Sequence, residues 1–272
     1  MSWLSPGPAW LFCPADRPER FARAIESSDL AILDLEDGVA PSRRALARAA
    51  LASLEAPPER VIVRVNPVGS PEHALDREAL ERCATNLVML AKTESAAEVT
   101  SLAPWRVVAL CETPRGLSRV EEIAAAPNAV AVMWGAEDLA AGLGGTSSRR
   151  PDGALSDVSR YARARTLLAA RVAGIVALDT VHVAIDDEAG LGAEARDAAA
   201  LGFDATPCVH PRQVGIVREA YRPTDDELAF ARRVLAASAD AGGVVRVDGV
   251  MVDGPLVAHA RRMLRRAGEP AV

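Results

Sequence analysis

Aromatic side chains are scarce, at 4 % of the 272 residues: four Trp, four Phe and two Tyr. Stacked rings therefore cannot carry the core, and Ala, Val, Leu and Ile must build it. Cysteine is scarce too. Cys13, Cys83, Cys111 and Cys208 lie far apart and form no CxxC pair. That argues against a disulfide framework or a local zinc motif and suits free thiols in a reducing compartment. No apolar run approaches the roughly 18 residues of a membrane span, and no basic stretch followed by an apolar one marks a secretory signal. The expected compartment is the cytoplasm, with no membrane partner. Excess positive charge is missing as well: the net charge is -6 and the pI near 5.4. That argues against nucleic acid as a partner. Local basic groups, Arg149 with Arg150 and the region around Arg261 and Arg266, read as solvated faces.

What is present is alternation. Short apolar runs cover residues 10–14, 30–35, 61–65, 87–91, 107–111, 130–134, 175–178 and 203–209. Each is continuous in hydrophobicity, as a parallel strand buried on both faces should be. Between them lie segments rich in helix formers, at 17–27, 42–54, 95–102, 157–173 and 187–201, with apolar positions three and four apart. Ser42, Ser95 and Asp157 are candidate N-caps, and Pro114 fits an early helical position. Eight β-then-α units predict a (β/α)8 TIM barrel over residues 1–220. A doubly wound open sheet is the alternative, but no GxGxxG follows the first run. The Gly-, Ser- and Arg-rich stretch 142–153 reads as a mobile loop. After residue 210 the alternation stops. Residues 225–239 predict a helix, 241–249 a short strand or hairpin arm, and 255–266 a last helix. This C-terminal helical extension, residues 221–272, is expected to be too small for its own core and to pack on the barrel or on a neighbouring subunit.

In such a barrel the chemistry sits at the C-terminal ends of the strands. The second run ends in "EDG", with Glu36 and Asp37 side by side. The third carries Arg64 and Asn66, and the fourth ends in Lys92. The fifth ends in Glu112, the sixth in Glu137 and Asp138. The seventh reaches Asp179 and His182, and the eighth ends at His210. Four or more carboxylates around one mouth, balanced by Arg64 and Lys92 alone, call for a cation. Oxygen ligands select a hard divalent ion such as Mg2+. Glu112 and Asp138 are the expected metal ligands. Glu36 and Asp37 are expected to hold metal-bound water or Arg64. In "WGAEDLAAGLG", Gly135 lets the backbone approach a ligand and residues 138–143 look like a first helical turn. Gly135, Ala136, Glu137 and Asp138 are thus candidate substrate-binding residues for a small anion, although Glu137 is expected to turn aside toward backbone amides. Arg64 is placed to stabilise an oxyanion. Metal, oxo-acid and guanidinium together suit carbon–carbon chemistry next to a carbonyl. His182 and His210 are read as structural hydrogen-bonding residues, since the site is oxygen-rich.

Seven segments in order, "GPAWLFCPADRPERFARA", "ILDLEDGV", "VIVRVN", "LAKTESA", "ALCETPRG", "MWGAEDLAAGLG" and "VHPRQV", resemble the citrate lyase beta-subunit-like family. It belongs to the wider malyl-CoA, citramalyl-CoA and 3-hydroxyacyl-CoA lyase group of the HpcH/HpaI aldolase-like superfamily. The resemblance runs from about residue 9 to residue 264. It implies a TIM barrel, a homotrimer, and Mg2+ held by Glu112 and Asp138. It also implies a substrate-positioning role for Arg64 and an acidic pair at Glu36 and Asp37. Arg17 and Arg23 fall where relatives bind the phosphates of coenzyme A. Lys92 matches the family's "PK" lysine and joins this cofactor-binding set, although Ala91 stands where proline is usual. "MVDGPLVAHA" resembles the family's C-terminal "MID-P" segment, which implies that Asp253 is an acid/base acting in a neighbouring subunit's site. Its plainer reading, a helix N-cap before Pro255, is compatible with that role.

The expectation is an Mg2+-dependent carbon–carbon lyase. It would cleave or form a 3-hydroxyacyl-CoA from acetyl-CoA, or a close acyl-CoA, and an oxo-acid. The alternatives are a subunit serving a carrier-protein thioester in a citrate-lyase-type complex and a CoA-independent oxo-acid aldolase. Loop 147–150, "SSRR", is a candidate cover for the thioester or simply a mobile loop.

Overall fold

The continuous apolar runs become strands because each is buried on both faces, inside by its neighbours across the barrel and outside by helices. The computed structural model describes residues 6–52, 54, 56–239 and 243–269. In chain order the elements are β1 (Ala9–Pro14), α1 (Phe21–Ser27), β2 (Leu30–Asp34), α2 (Arg44–Leu51), β3 (Val61–Val65) and α3 (Pro71–Leu80). Then come β4 (Leu87–Leu90), α4 (Ala96–Ser101), β5 (Arg106–Cys111), α5 (Pro114–Ser118), α6 (Val120–Ala124), β6 (Ala129–Trp134) and α7 (Ala136–Gly142). The series ends with α8 (Asp157–Ala173), β7 (Val176–Leu178), α9 (Glu188–Leu201), β8 (Thr206–Cys208) and α10 (Pro211–Tyr221). The strands form one eight-stranded sheet in the order β7-β6-β5-β4-β3-β2-β1-β8, every pair parallel. A further parallel bridge, Leu178 to Ala205, joins the two ends. The predicted (β/α)8 TIM barrel is therefore the observed fold.

The barrel interior is filled by alternate residues of each strand, among them Ile32, Ile62, Leu110 and Met133. Side chains alternate with period two, so two residues further along the same face continues the same wall. Those next positions are Asp34, Arg64, Glu112 and Gly135. The polar mouth is thus the last layer of a packed apolar core. The few aromatics are spent sparingly: Trp10 and Trp134 are fully buried, and Trp134 Nε1 donates to Asp179 Oδ1 at 2.7 Å.

Two caps differ from expectation. Ser42 lies inside a 3-10 turn (Pro41–Arg43), and α2 starts after it with no side-chain cap. Asp157 is the first residue of α8, and Ser156 is its cap, accepting from the Ser159 amide. Ser95 does cap α4, in a full capping box with Glu98. The α2 segment was expected to reach Leu54, but the helix ends at Leu51 with Ala52 as its C-cap, and Leu54 is not helical.

The chain divides into two compact units, Met1–Val217 and Arg218–Val272. The second contains α11 (Asp225–Ala239), the antiparallel pair β9 (Val245–Val247) and β10 (Val250–Val252), and α12 (Gly254–Arg266). Residues 241 and 242 of the expected hairpin arm lie outside the described residues. This unit does have an apolar cluster of its own: Leu228, Ala231, Val234, Val247, Val252, Ala260 and Leu264 are buried together. The expectation of no core was too strict, because the short hairpin closes over the groove between two amphipathic helices. Among the described residues, no helix is long and apolar enough to cross a membrane.

Candidate active site

Asp34, the last residue of β2, organises the mouth. It is 2 % exposed. Its two oxygens accept from the amides of Glu36 (2.9 Å) and Gly38 (2.8 Å), and from Arg64 Nε (2.6 Å) and Nη2 (2.5 Å). Four donors fix this one side chain in place, and the Arg64 pair is bidentate. Register explains the pairing, since Asp34 of β2 lies opposite Arg64 of β3. A Cβ on Gly38 would come within 2.3 Å of Asp34 Oδ2, so only glycine lets this turn close.

Glu36 and Asp37 were expected to hold metal-bound water or Arg64. The Arg64 fork instead goes to Asp34. Glu36 Oε2 lies 3.2 Å from Arg64 Nη1, near enough for attraction but not aligned as a hydrogen bond. The guanidinium also lies 4.8 Å from the centre of the Phe12 ring. Burial opposes the Arg64 charge, but Asp34 and Glu36 outweigh that and hold it cationic.

The Glu36 and Asp37 pair binds Lys92. The ammonium donates to Glu36 Oε1, to Asp37 Oδ2 at 2.9 Å, and lies 3.4 Å from Asp138 Oδ1. Lys92 is expected among the cofactor-binding residues, and the structure places it in the mouth against these three carboxylates. Its backbone lies in the left-handed region, at φ 48°. The Lys92 amide meanwhile donates to Glu112 Oε1 at 3.1 Å.

Glu112 is 3 % exposed. Burial and the neighbouring Asp138 push its carboxyl up to about 8. Asp138 is more open, at 40 % exposure. Gly135 sits against Glu112: a Cβ there would meet Glu112 Oε2 at 2.7 Å and Glu112 Cβ at 2.8 Å. The Ala136 amide is taken by Thr180 Oγ1 at 3.1 Å. Of the expected anion-binding turn, this leaves the first-turn amides of Glu137 and Asp138 on α7. Phe12, Asp34, Asp37, Arg64, Glu112, Gly135, Ala136, Glu137 and Asp138 all line one cavity of about 360 Å³. Leu110, Met133, Val181, Val183 and Val209 give it an apolar wall.

Glu137 was expected to bond backbone amides, but its Oε1 accepts from the Ser148 hydroxyl at 2.6 Å. The loop read as mobile is tied down. Ser148 is buried, its carbonyl accepts from the Ser156 amide and the Ser159 hydroxyl, and Arg149 reaches Glu194. Glu194 also meets His182 Nδ1 at 2.8 Å. His182 and His210 make structural hydrogen bonds, His210 Nδ1 accepting from the Arg212 amide at 3.2 Å.

Partial burial opposes the Glu194 charge, but His182 and Arg149 outweigh it and hold the carboxyl at about 2, against an ordinary 4.5. A depressed folded value contributes stability above the unfolded value, lost as pH falls through the folded one. With a third of the side chain exposed, the effect at pH 7 is about 1 kcal/mol. Glu194→Gln should therefore melt below the parent at pH 7, with the gap closing as pH falls from 4.5 toward 2. A gap independent of pH would show that packing, not charge, carries it.

Asn66 stands at a strand end, as expected, and its partner Asp76 was missed in the sequence. Asn66 donates through Nδ2 to Asp76 Oδ2 (2.7 Å) and to the Leu35 carbonyl (3.0 Å), and its amide also binds Asp76. Asp76 is fully buried on α3 and also accepts from Arg48. Together they fix the backbone from which Glu36 and Asp37 project. Arg17 and Arg23 are exposed, on the loop after β1 and on α1. Asp253 caps α12, accepting from the Leu256 amide at 3.4 Å.

Fold and mouth define a (β/α)8 barrel with a polar site at its strand ends. Residues 9–211 match the HpcH/HpaI aldolase/citrate lyase family, and the chain belongs to this lyase/aldolase-type enzyme family, in its citrate lyase beta-like group. A citrate lyase subunit beta-like protein of Mycobacterium tuberculosis is 56 % identical, covering 99 % of this chain and 98 % of its own. A (3S)-malyl-CoA thioesterase of Cereibacter sphaeroides is 32 % identical, covering 94 % and 93 %. The crystal structure of the M. tuberculosis protein CitE in complex with magnesium, acetoacetate and coenzyme A superposes with a TM-score of 0.94. It shares 57 % identity and covers 97 % of this chain and 99 % of that one.

Proposed function

We propose that the protein is an Mg2+-dependent carbon–carbon lyase that cleaves, or forms, a 3-hydroxyacyl-CoA from acetyl-CoA or a close acyl-CoA and an oxo-acid. The observation that carries this reading is Glu112, a deeply buried carboxylate beside Asp138 and a buried guanidinium in one small cavity. Among the described residues, no three metal-ligating side chains cluster. Two carboxylates suit Mg2+, which keeps waters and substrate oxygens in its remaining positions. Glu112 and Asp138 would hold the ion, which would supply Lewis-acid stabilisation of the negative charge on the hydroxyl oxygen that becomes the oxo-acid carbonyl. The similar M. tuberculosis structure with magnesium, acetoacetate and coenzyme A supports both the ion and the ligand class.

Arg64, held by Asp34, presents a permanent positive charge to an oxyanion on the same ligand. The amides of Glu137 and Asp138, approached past Gly135, receive the oxo-acid carboxylate. The apolar wall of Leu110, Met133 and Val181 excludes water from the reacting carbons. Arg17 and Arg23 hold the phosphates of coenzyme A outside this cavity. Asp253 serves as acid/base in a neighbouring subunit of a homotrimer, taking the hydroxyl proton in the cleavage direction.

The test is incubation of the purified protein and Mg2+ with citryl-, malyl-, citramalyl- and 3-hydroxy-3-methylglutaryl-CoA. Release of an oxo-acid together with acetyl-CoA from at least one is expected; release from none overturns the reading. The malyl-CoA thioesterase among the relatives supports a second reading, thioester hydrolysis. That outcome yields free coenzyme A and an intact hydroxy acid. Oxo-acid release only when a carrier protein is added would instead assign the chain to a larger complex.

A further inference from the structure

We infer that Lys92 sets the metal affinity of the mouth: its ammonium and a divalent ion draw on the same carboxylate, Asp138, while Glu36 and Asp37 anchor the ammonium to one side. This rests on the metal reading proposed above. Lys92 touches both proposed ligands. Its amide donates to Glu112 Oε1 at 3.1 Å, and its ammonium lies 3.4 Å from Asp138 Oδ1. Lys92 makes this double contact with its backbone left-handed at φ 48°, a conformation that a lysine rarely adopts. The anchor is asymmetric: Glu36 is buried and Asp37 is 59 % exposed.

Two cations beside one carboxylate repel each other. An ion bound at Asp138 therefore meets an ammonium whose distance is fixed by Glu36 and Asp37. The pair of acids that looked like part of a metal's surroundings acts on the metal through Lys92. Two opposite effects follow. Neutralising Lys92 strengthens ion binding. Neutralising Asp37 frees the ammonium to lean on Asp138 and weakens it. A purely structural lysine predicts weakening in both cases.

The experiment is calorimetric titration of Mg2+ into the full-length protein without substrate, for the parent, Lys92→Gln, Lys92→Arg and Asp37→Asn. Circular dichroism melts with and without Mg2+ accompany each titration. Lys92→Gln should bind Mg2+ about tenfold more tightly, Lys92→Arg within about threefold of the parent, and Asp37→Asn about threefold to tenfold more weakly. Lys92→Gln should also show the larger Mg2+-induced rise in melting temperature. Unchanged or weaker binding in a folded Lys92→Gln overturns the inference while leaving the metal reading intact. If Lys92→Gln does not fold, binding in Asp37→Asn as tight as in the parent overturns it. Absence of Mg2+ binding in the parent and in every variant overturns the metal reading, and this inference with it.

Discussion

Replacing Glu112 with Gln should abolish Mg2+ binding and lyase activity together, while the metal-free protein melts at or above the parent's temperature. Gln keeps the size of the side chain and an oxygen to accept the Lys92 amide, so the backbone of that strand end is undisturbed. What it removes is an ionisable carboxyl, at a site that burial and Asp138 make unfavourable for charge, with the carboxyl pushed up to about 8. Loss of Lewis-acid stabilisation of several kcal/mol corresponds to a fall in turnover of about 10³-fold or more. The stability arm has a sign that can be checked. A carboxyl whose folded value is raised binds protons more tightly folded than unfolded, so the metal-free parent loses stability as pH rises from 4.5 to about 8. Gln does not titrate. The variant's advantage in melts with chelator should therefore grow across that window, by a few kcal/mol at most. Parent-like Mg2+ affinity in Glu112→Gln would remove the ligand assignment, whatever the activity did.

The barrel was legible because its signal is repeated. One short apolar run is ambiguous, but eight of them, each followed by helix formers, leave few architectures. Boundaries moved by at most one residue in the first seven runs, as at 175–178 against Val176–Leu178, where apolar character continues past the last ladder bond. Only the eighth run, 203–209, shrank further, to Thr206–Cys208. The short helix α6 and the longer α3 and α10 escaped notice, and of α5 only Pro114 was marked. Val120–Ala124 has five residues, too few for a periodic pattern to emerge, and α3 is fixed by the buried Asp76 rather than by an apolar stripe. The tethered loop at 142–153 was misread for a related reason: its Gly and Ser content is real, but the bonds of Ser148 and Arg149 go to distant residues.

In the candidate site, strand ends could be read one at a time, and that was enough to place Glu36, Asp37, Arg64, Glu112 and Asp138 at one mouth. Partners could not be read that way. Asp34 and Arg64 meet because β2 and β3 pair in a particular register, which neither strand reveals alone. A count by twos was available in "AILDLED": Ile32, Asp34 and Glu36 share a face, so an acid on the wall of the barrel was visible before any pairing. The backbone of Lys92 is left-handed, and nothing in "LAKTE" announces it.

Asp34→Asn should be the most damaging conservative change in the barrel, costing about 3–5 kcal/mol of stability. The carboxylate meets four donors and is almost wholly buried. An Asn amide brings its own N–H groups to face the Glu36 and Gly38 amides or the guanidinium, so at least two bonds become donor against donor. It also leaves the buried Arg64 charge with Glu36 alone, which is 3.2 Å away and poorly aligned. Arg64→Lys is the complementary change. It keeps a cation against Asp34 but loses the fork, so the positive charge no longer has a fixed direction. For that variant the expected loss is mainly in turnover, about 10²- to 10³-fold, with a much smaller loss of stability. Chemical denaturation and steady-state kinetics on both variants separate the roles. If Asp34→Asn lost turnover with full stability, Asp34 would be acting on substrate and not on Arg64. If Arg64→Lys kept parental turnover, positive charge alone, without the guanidinium fork, would satisfy the chemistry, and the pairing with Asp34 would serve the fold.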